Sequence, residues 1–131
     1  MKRRGILRLI LLIACGLMCS CGTDAPAEAI YKNITPEEAK EIMDTETDYV
    51  ILDARTQAEF DEGHISGAVC ISHEEIAQKA EEMLPDKDKL ILVYCRSGRR
   101  SKIAAEALLE LGYTKIYEFG GIIDWPYDVV K

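Results

Sequence analysis

Cys95 is followed, within five positions, by three arginines and a glycine: Cys95-Arg96-Ser97-Gly98-Arg99-Arg100. A cysteine in such company is a candidate nucleophile, because the thiolate is the reactive form and positive surroundings favour it. The run Lys89 to Tyr94 leads into the cysteine and reads as a buried strand, and Ile103-Ala104-Ala105 to Leu108-Leu109 leads away as a helix. A helix N-terminus presents unpaired N–H groups and a positive dipole end. Successive loop amides can also form an anion-binding concavity. Together these predict a Cys95 pKa lowered from about 8.5 into the range of roughly 3.5–7.5. A structural cysteine beside a solvated basic loop is the plainer reading, and the spacing of Gly98 and the arginines favours the reactive one.

The elements that must position this loop alternate in type. Strands are expected over Ile30 to Ile34, Tyr49 to Asp53, Ala68 to Ile71, Lys89 to Tyr94 and Tyr113 to Phe119. Thr35-Pro36-Glu37-Glu38 is a capping box with proline at the first helical position, opening a helix to about Asp44. A short helix over Gln57 to Glu62 is closed by Gly63. Ser72 should cap another, with Ile76, Ala80, Met83 and Leu84 on its inner face. The helix over Ser101 to Leu111 ends at Gly112, and a short helix around Ile122 to Trp125 finishes the chain. Alternation of this kind predicts a mostly parallel sheet between helices. Ligands of such sheets bind beyond the carboxyl ends of strands, where Cys95 falls. The periodicity alone fits many doubly wound folds.

Three segments narrow the choice. The loop Cys95-Arg96-Ser97-Gly98-Arg99-Arg100 resembles the six-residue active-site loop of rhodanese-like sulfurtransferases. Asp53-Ala54-Arg55, then Glu59-Phe60 and Gly63-His64-Ile65-Ser66-Gly67-Ala68, is similar to the family's first signature, with Ser66 where proline is usual. Gly120-Gly121-Ile122-Ile123-Asp124-Trp125 resembles the element that closes the domain. The resemblance spans roughly residues 30 to 131. It implies an α/β three-layer sandwich, with a mostly parallel sheet of about five strands and helices on both faces. It also implies sulfur transfer through a Cys95 persulfide, in two covalent steps. The donor would be a small anion such as thiosulfate, or a persulfide, and the acceptor a thiol or a cyanide-like species. The amides of residues 96 to 100 would cradle the outer sulfur, with Ser97 and Gly98 shaping the loop. Arg96, Arg99 and Arg100 would attract the donor, with the Arg100 guanidinium facing the pocket as an exposed charge.

No metal or organic cofactor is expected, and His64 and His73 offer no credible zinc set. Arg55 and Glu59 stand one helical turn apart and predict an ion pair between strand and helix; support of the active-site rim is the functional alternative for Arg55. Trp125 reads as a core-closing aromatic rather than a lining of the pocket mouth. The strand order implied by the resemblance puts Cys70 at a sheet edge, too far to bridge to Cys95. Cys70 is then a small core residue, and both thiols are free.

The chain has 131 residues, room for one domain and a leader. Residues 1–20 read as a signal peptide, with Lys2, Arg3, Arg4 and Arg8 before an apolar stretch from Leu9 to Met18 that is short for a membrane span. Met18-Cys19-Ser20-Cys21-Gly22 resembles a bacterial lipobox, making Cys21 the expected lipid acceptor. Leu12-Ile13-Ala14-Cys15 is the closer consensus match but leaves too short an apolar core, so Cys15 is the alternative. Residues 21–29 read as a flexible tether, and the domain as exported, lipid-anchored outside the cytoplasmic membrane, and monomeric. Loss of the leader deepens the formal charge from −7 to −11. Such acidity argues against nucleic acid as a partner, and the local basic cluster at residues 96 to 102 suits a small anion.

Two rivals share the loop. Cysteine phosphatases place an arginine where this chain has Ser101, and the shorter cradle suits sulfur better than phosphate. A tethered persulfide carrier without significant turnover would use every residue named here.

Overall fold

The computed structural model describes residues 28–131. The leader and most of the expected tether, with Cys15 and Cys21, lie outside the described residues. Five strands, β1 (Ile30–Asn33), β2 (Tyr49–Asp53), β3 (Val69–Cys70), β4 (Leu90–Cys95) and β5 (Lys115–Gly121), form one sheet in the order β1-β5-β4-β2-β3. Every named pairing is parallel. The helices are α1 (Pro36–Thr45), α2 (Gln57–Glu62), α3 (Ile76–Met83) and α4 (Arg99–Glu110).

The sheet is covered on both faces, as a parallel sheet requires. Because strand side chains alternate, β4 feeds two cores. Ile91, Val93 and Cys95 pack with Ala80 of α3 and with Ala104, Ala105 and Leu108 of α4. Leu92 and Tyr94 face the other way, toward Ala39 of α1, Phe119 and Trp125. Cys95 therefore ends the central strand on the α4 side. The α/β sandwich expected from the sequence is the observed fold.

Local chemistry explains the helix starts. Thr35 and Thr56 each complete a reciprocal capping box, with Glu38 and Glu59. The third helical segment differs from expectation. Ser72 makes no side-chain cap; a 3₁₀ turn over His73–Glu75 intervenes, and α3 begins at Ile76. Ile76, Ala80 and Leu84 form the buried stripe at intervals of four, which leaves Met83 to the side and 43% exposed. α4 starts at Arg99, earlier than expected, because Gly98 as N-cap takes a left-handed φ of 104° and turns the chain directly into the helix. β5 continues to Gly121, past the expected Phe119. Among the described residues no helix is long and apolar enough to cross a membrane.

Candidate active site

Cys95 is wholly buried, and its Cα is in register with Gly121 of β5. The Gly98 amide donates to its Sγ at 3.0 Å. Burial pushes the thiol pKa up and is the largest single influence. It is outweighed by the Ser101 hydroxyl, when its hydrogen turns to Sγ, and by the amides of Ser101, Gly98 and Ser97, which together bring the thiol below its ordinary value. The lowering expected from the sequence is present, but its cause is hydrogen bonding by the loop and first helical turn rather than the arginine charges.

β5 supports this loop by having no side chain at Gly121. A Cβ there would lie 1.9 Å from the Arg96 carbonyl oxygen and 2.6 Å from Ser97 Cα, and that same carbonyl accepts from Ile123 N at 3.3 Å. Gly121→Ala must therefore push the loop off its seat. Misplacing reacting groups by about 1 Å costs on the order of 10²-fold, so a loss of that order in kcat/KM is expected. Activity near the wild-type value would mean that the loop tolerates displacement.

The arginines divide. Arg96 and Arg99 are exposed and have no ion-pair partner among the described residues. Arg100 is not the exposed charge expected from the sequence. Its Nη1 and Nη2 donate to Glu59 Oε2 and Oε1 at 2.7 and 2.8 Å, with 18% of its side chain exposed. Arg99 and Arg100 occupy the first turn of α4, where cations oppose the helix dipole; the charge of Arg100 is met by Glu59, and that of Arg99 is left unpaired among the described residues.

The expected Arg55–Glu59 pair is not formed. Thr56 is the cap of α2, so Arg55 precedes the helix and turns inward. Its backbone N, Nε and Nη2 donate to the Asp53 carboxylate at 2.9, 3.0 and 2.7 Å, and Nη2 reaches Gly63 O at 2.7 Å. Tyr94 OH donates to Asp53 Oδ2 at 2.7 Å and accepts from Ile65 N at 3.1 Å. Burial, then Asp53, pushes the Tyr94 phenol up, so it stays neutral. The buried Asp53–Arg55–Tyr94 set ties the end of β2 to β4 and to the connection after α2.

Glu59 is held by Arg100, which lowers its pKa to about 2 against the opposing effect of partial burial; Thr56 adds further hydrogen bonds. A depressed carboxylate stabilises the fold fully above its unfolded pKa, ~4.3, and loses that contribution as pH falls toward 2. Arg100→Gln should cost about 1 kcal/mol near neutral pH, the scale of a partly exposed pair. The difference from wild type should shrink between about pH 4 and pH 2. Denaturant unfolding at several pH values checks this, and a pH-independent difference would contradict it.

Cys70 lies on the edge strand β3, as expected, but is half-buried rather than a core residue. It pairs with Asp53, which pairs with Tyr94, so two strand spacings separate it from the strand carrying Cys95, and both thiols are free. Burial first, then Asp53, pushes the Cys70 thiol up to about 11. The His64 ring stacks on Phe60 with Nδ1 2.8 Å from Phe60 O. Trp125 closes the core against Phe119. Two residues of the site were given no role in it by the sequence reading: Ser101, whose Oγ is 3.5 Å from Cys95 Sγ, and Glu118, 2.5 Å from that Oγ. The available signal was an acidic residue inside the apolar run Ile116 to Phe119.

Residues 35–126 match the family described as the Rhodanese-like domain. The thiosulfate sulfurtransferase PspE of Escherichia coli is 35% identical over 80 residues, 61% of this chain and 77% of that protein. The thiosulfate sulfurtransferase GlpE of Coxiella burnetii is 36% identical over 97 residues, 73% of this chain and 88% of that one. A rhodanese-related protein from Thermoplasma volcanium superposes with a TM-score of 0.66 at 32% identity, covering 76% of this chain and 98% of its own. An E. coli rhodanese solved with anions gives 0.59 at 34%, covering 63% and 98%.

Proposed function

The chain belongs to the rhodanese-like domain family and is a thiosulfate-sulfurtransferase-like enzyme, and from that premise we propose that Cys95 is its sulfur-carrying nucleophile. The observation that carries the reading is a buried Cys95 Sγ at the end of the central strand, with the Gly98 amide donating to it at 3.0 Å. The Cys95 thiolate attacks the outer sulfur of thiosulfate. An S–S bond forms, the bond to the sulfonate breaks, and sulfite leaves with the electron pair. The resulting persulfide anion is held by the amides of residues 96 to 100. Arg96 and Arg99 draw the dianion in, while Arg100, neutralised by Glu59, fixes the loop against α2. A thiolate or cyanide then takes the outer sulfur and returns Cys95. Two half-reactions through one covalent intermediate give ping-pong kinetics. Parallel double-reciprocal lines with varied thiosulfate and cyanide are expected, and intersecting lines would contradict the scheme.

The reading extends to location. Residues 30–131 form the catalytic domain, monomeric, with residues 21–29 tethering it outside the cytoplasmic membrane to a lipidated Cys21. Several acyl chains suffice for stable anchoring. Cys21→Ala should release the protein from membranes or stall its processing; unchanged association, lost only with Cys15→Ala, would move the acceptor.

A further inference from the structure

Glu118 of β5 is 3% exposed, and a buried carboxylate is costly unless its oxygens are bonded. Its Oε1 accepts from Gly120 N at 2.9 Å and from Ser101 Oγ at 2.5 Å. The same Oγ lies 3.5 Å from Cys95 Sγ and 3.0 Å from Gly98 O. A line of contacts thus runs from the thiol at the end of β4, through the first turn of α4, to a carboxylate of β5.

A serine hydroxyl has one hydrogen and two acceptor sites. Of the acceptors around Ser101, the carboxylate is nearest, and a charge-assisted bond is roughly twice as strong as a neutral one. The hydrogen therefore points at Glu118, and the oxygen turns an acceptor site toward Sγ, where it receives the thiol S–H. For the hydroxyl to serve a thiolate, it must be withdrawn from Glu118. We infer that Glu118 is a positioning residue: by holding the Ser101 hydroxyl hydrogen it favours the thiol form of Cys95, keeping the nucleophile more basic than the loop amides alone would make it. This rests on the reading of Cys95 as the sulfur-carrying nucleophile. The amides and the helix N-terminus all favour ionisation, yet the nucleophilicity of a thiolate falls with its pKa, with a Brønsted slope of about 0.4–0.5, and the best attacking thiol has a pKa near the ambient pH. Glu118 sets this balance.

The opposite arrangement passes the thiol proton to Glu118 through the hydroxyl. That arrangement gives up the charge-assisted bond between the hydroxyl and the carboxylate, the shortest contact Ser101 makes. The other charged or titratable groups around these residues are the exposed Arg96 of the loop and Arg99 of α4, Arg100 of α4 with Glu59 of α2, Tyr31 of β1, Glu106 of α4, and the mutually bonded Asp53 and Arg55 of β2 and Tyr94 of β4. Among the described residues, Glu118 is the one charged group bonded to Ser101.

The test is the rate of iodoacetamide alkylation against pH, read on the Cys95 peptide of the full-length protein by mass spectrometry. Glu118→Gln keeps the shape and an acceptor for Gly120 N, and its amide can donate to Ser101 and free the hydroxyl for Sγ. The midpoint should fall by about one unit, while the limiting rate at high pH falls about threefold at that Brønsted slope, so the two profiles cross. Glu118→Met, without a polar atom, should shift the midpoint in the same direction. With Ser101→Ala in place, the effect of Glu118→Gln should shrink. An unmoved midpoint with a lowered Tm would make Glu118 merely structural, and a raised midpoint would make it the proton acceptor. A shift of equal size in the Ser101→Ala background would remove the hydroxyl from the account. Each of these overturns the inference. Alkylation uses no sulfur donor, so failure of the nucleophile reading appears separately, as fully alkylated protein that still transfers sulfur.

Discussion

Cys95→Ser should abolish thiosulfate:cyanide sulfur transfer while leaving the fold in place. Serine oxygen forms no persulfide and does not ionise at neutral pH, so both half-reactions lose their covalent carrier. Removing a nucleophile typically costs several orders of magnitude, and a drop of at least about a thousandfold is expected. The fold should persist because Gly98 N and Ser101 Oγ, 3.0 and 3.5 Å from the sulfur, remain as partners for a hydroxyl. Thermal unfolding of the variant near the wild-type temperature completes the expected result. Comparable activity would place the chemistry elsewhere.

Asp53→Ala should have the largest effect on stability. Asp53 is wholly buried, and Arg55 is 6% exposed. Removing the carboxylate leaves a buried guanidinium with only Gly63 O as a partner and leaves the Tyr94 hydroxyl without its acceptor. Breaking a buried pair from one side costs about 3–5 kcal/mol, a large share of the roughly 5–15 kcal/mol that holds a domain folded. At about 4–8 °C per kcal/mol for a domain near 100 residues, Tm should fall by at least about 12 °C. A fall of only a few degrees, comparable with Arg100→Gln, would mean the set is solvated in solution.

The strands and helices were legible because each carries a local mark: the continuous apolar run of β4, the two capping boxes, and Gly112 after α4. The reactive cysteine was legible because its loop concentrates glycine and arginine in sequence. The departures were set by tertiary contacts or by single backbone angles. Arg55 and Glu59 have helical spacing, but that spacing brings side chains together only within one helix, and the cap at Thr56 separates them. The partner Glu59 does take, Arg100, is 41 positions away. Ser101 and Glu118 meet across 17 positions, because β5 is hydrogen-bonded to β4 while α4 packs across both. The left-handed turn at Gly98 moved the helix start by two residues, placing two arginines in its first turn.

The central claim is that Cys95 carries the transferred sulfur. Its most direct test is the mass of the Cys95 peptide after the folded protein is incubated with thiosulfate and quickly desalted. The account predicts the mass of one added sulfur atom on Cys95 and none on Cys70, lost on adding cyanide with release of one equivalent of thiocyanate. An unmodified Cys95 in protein that still turns over thiosulfate, or a sulfur on Cys70 instead, would contradict it.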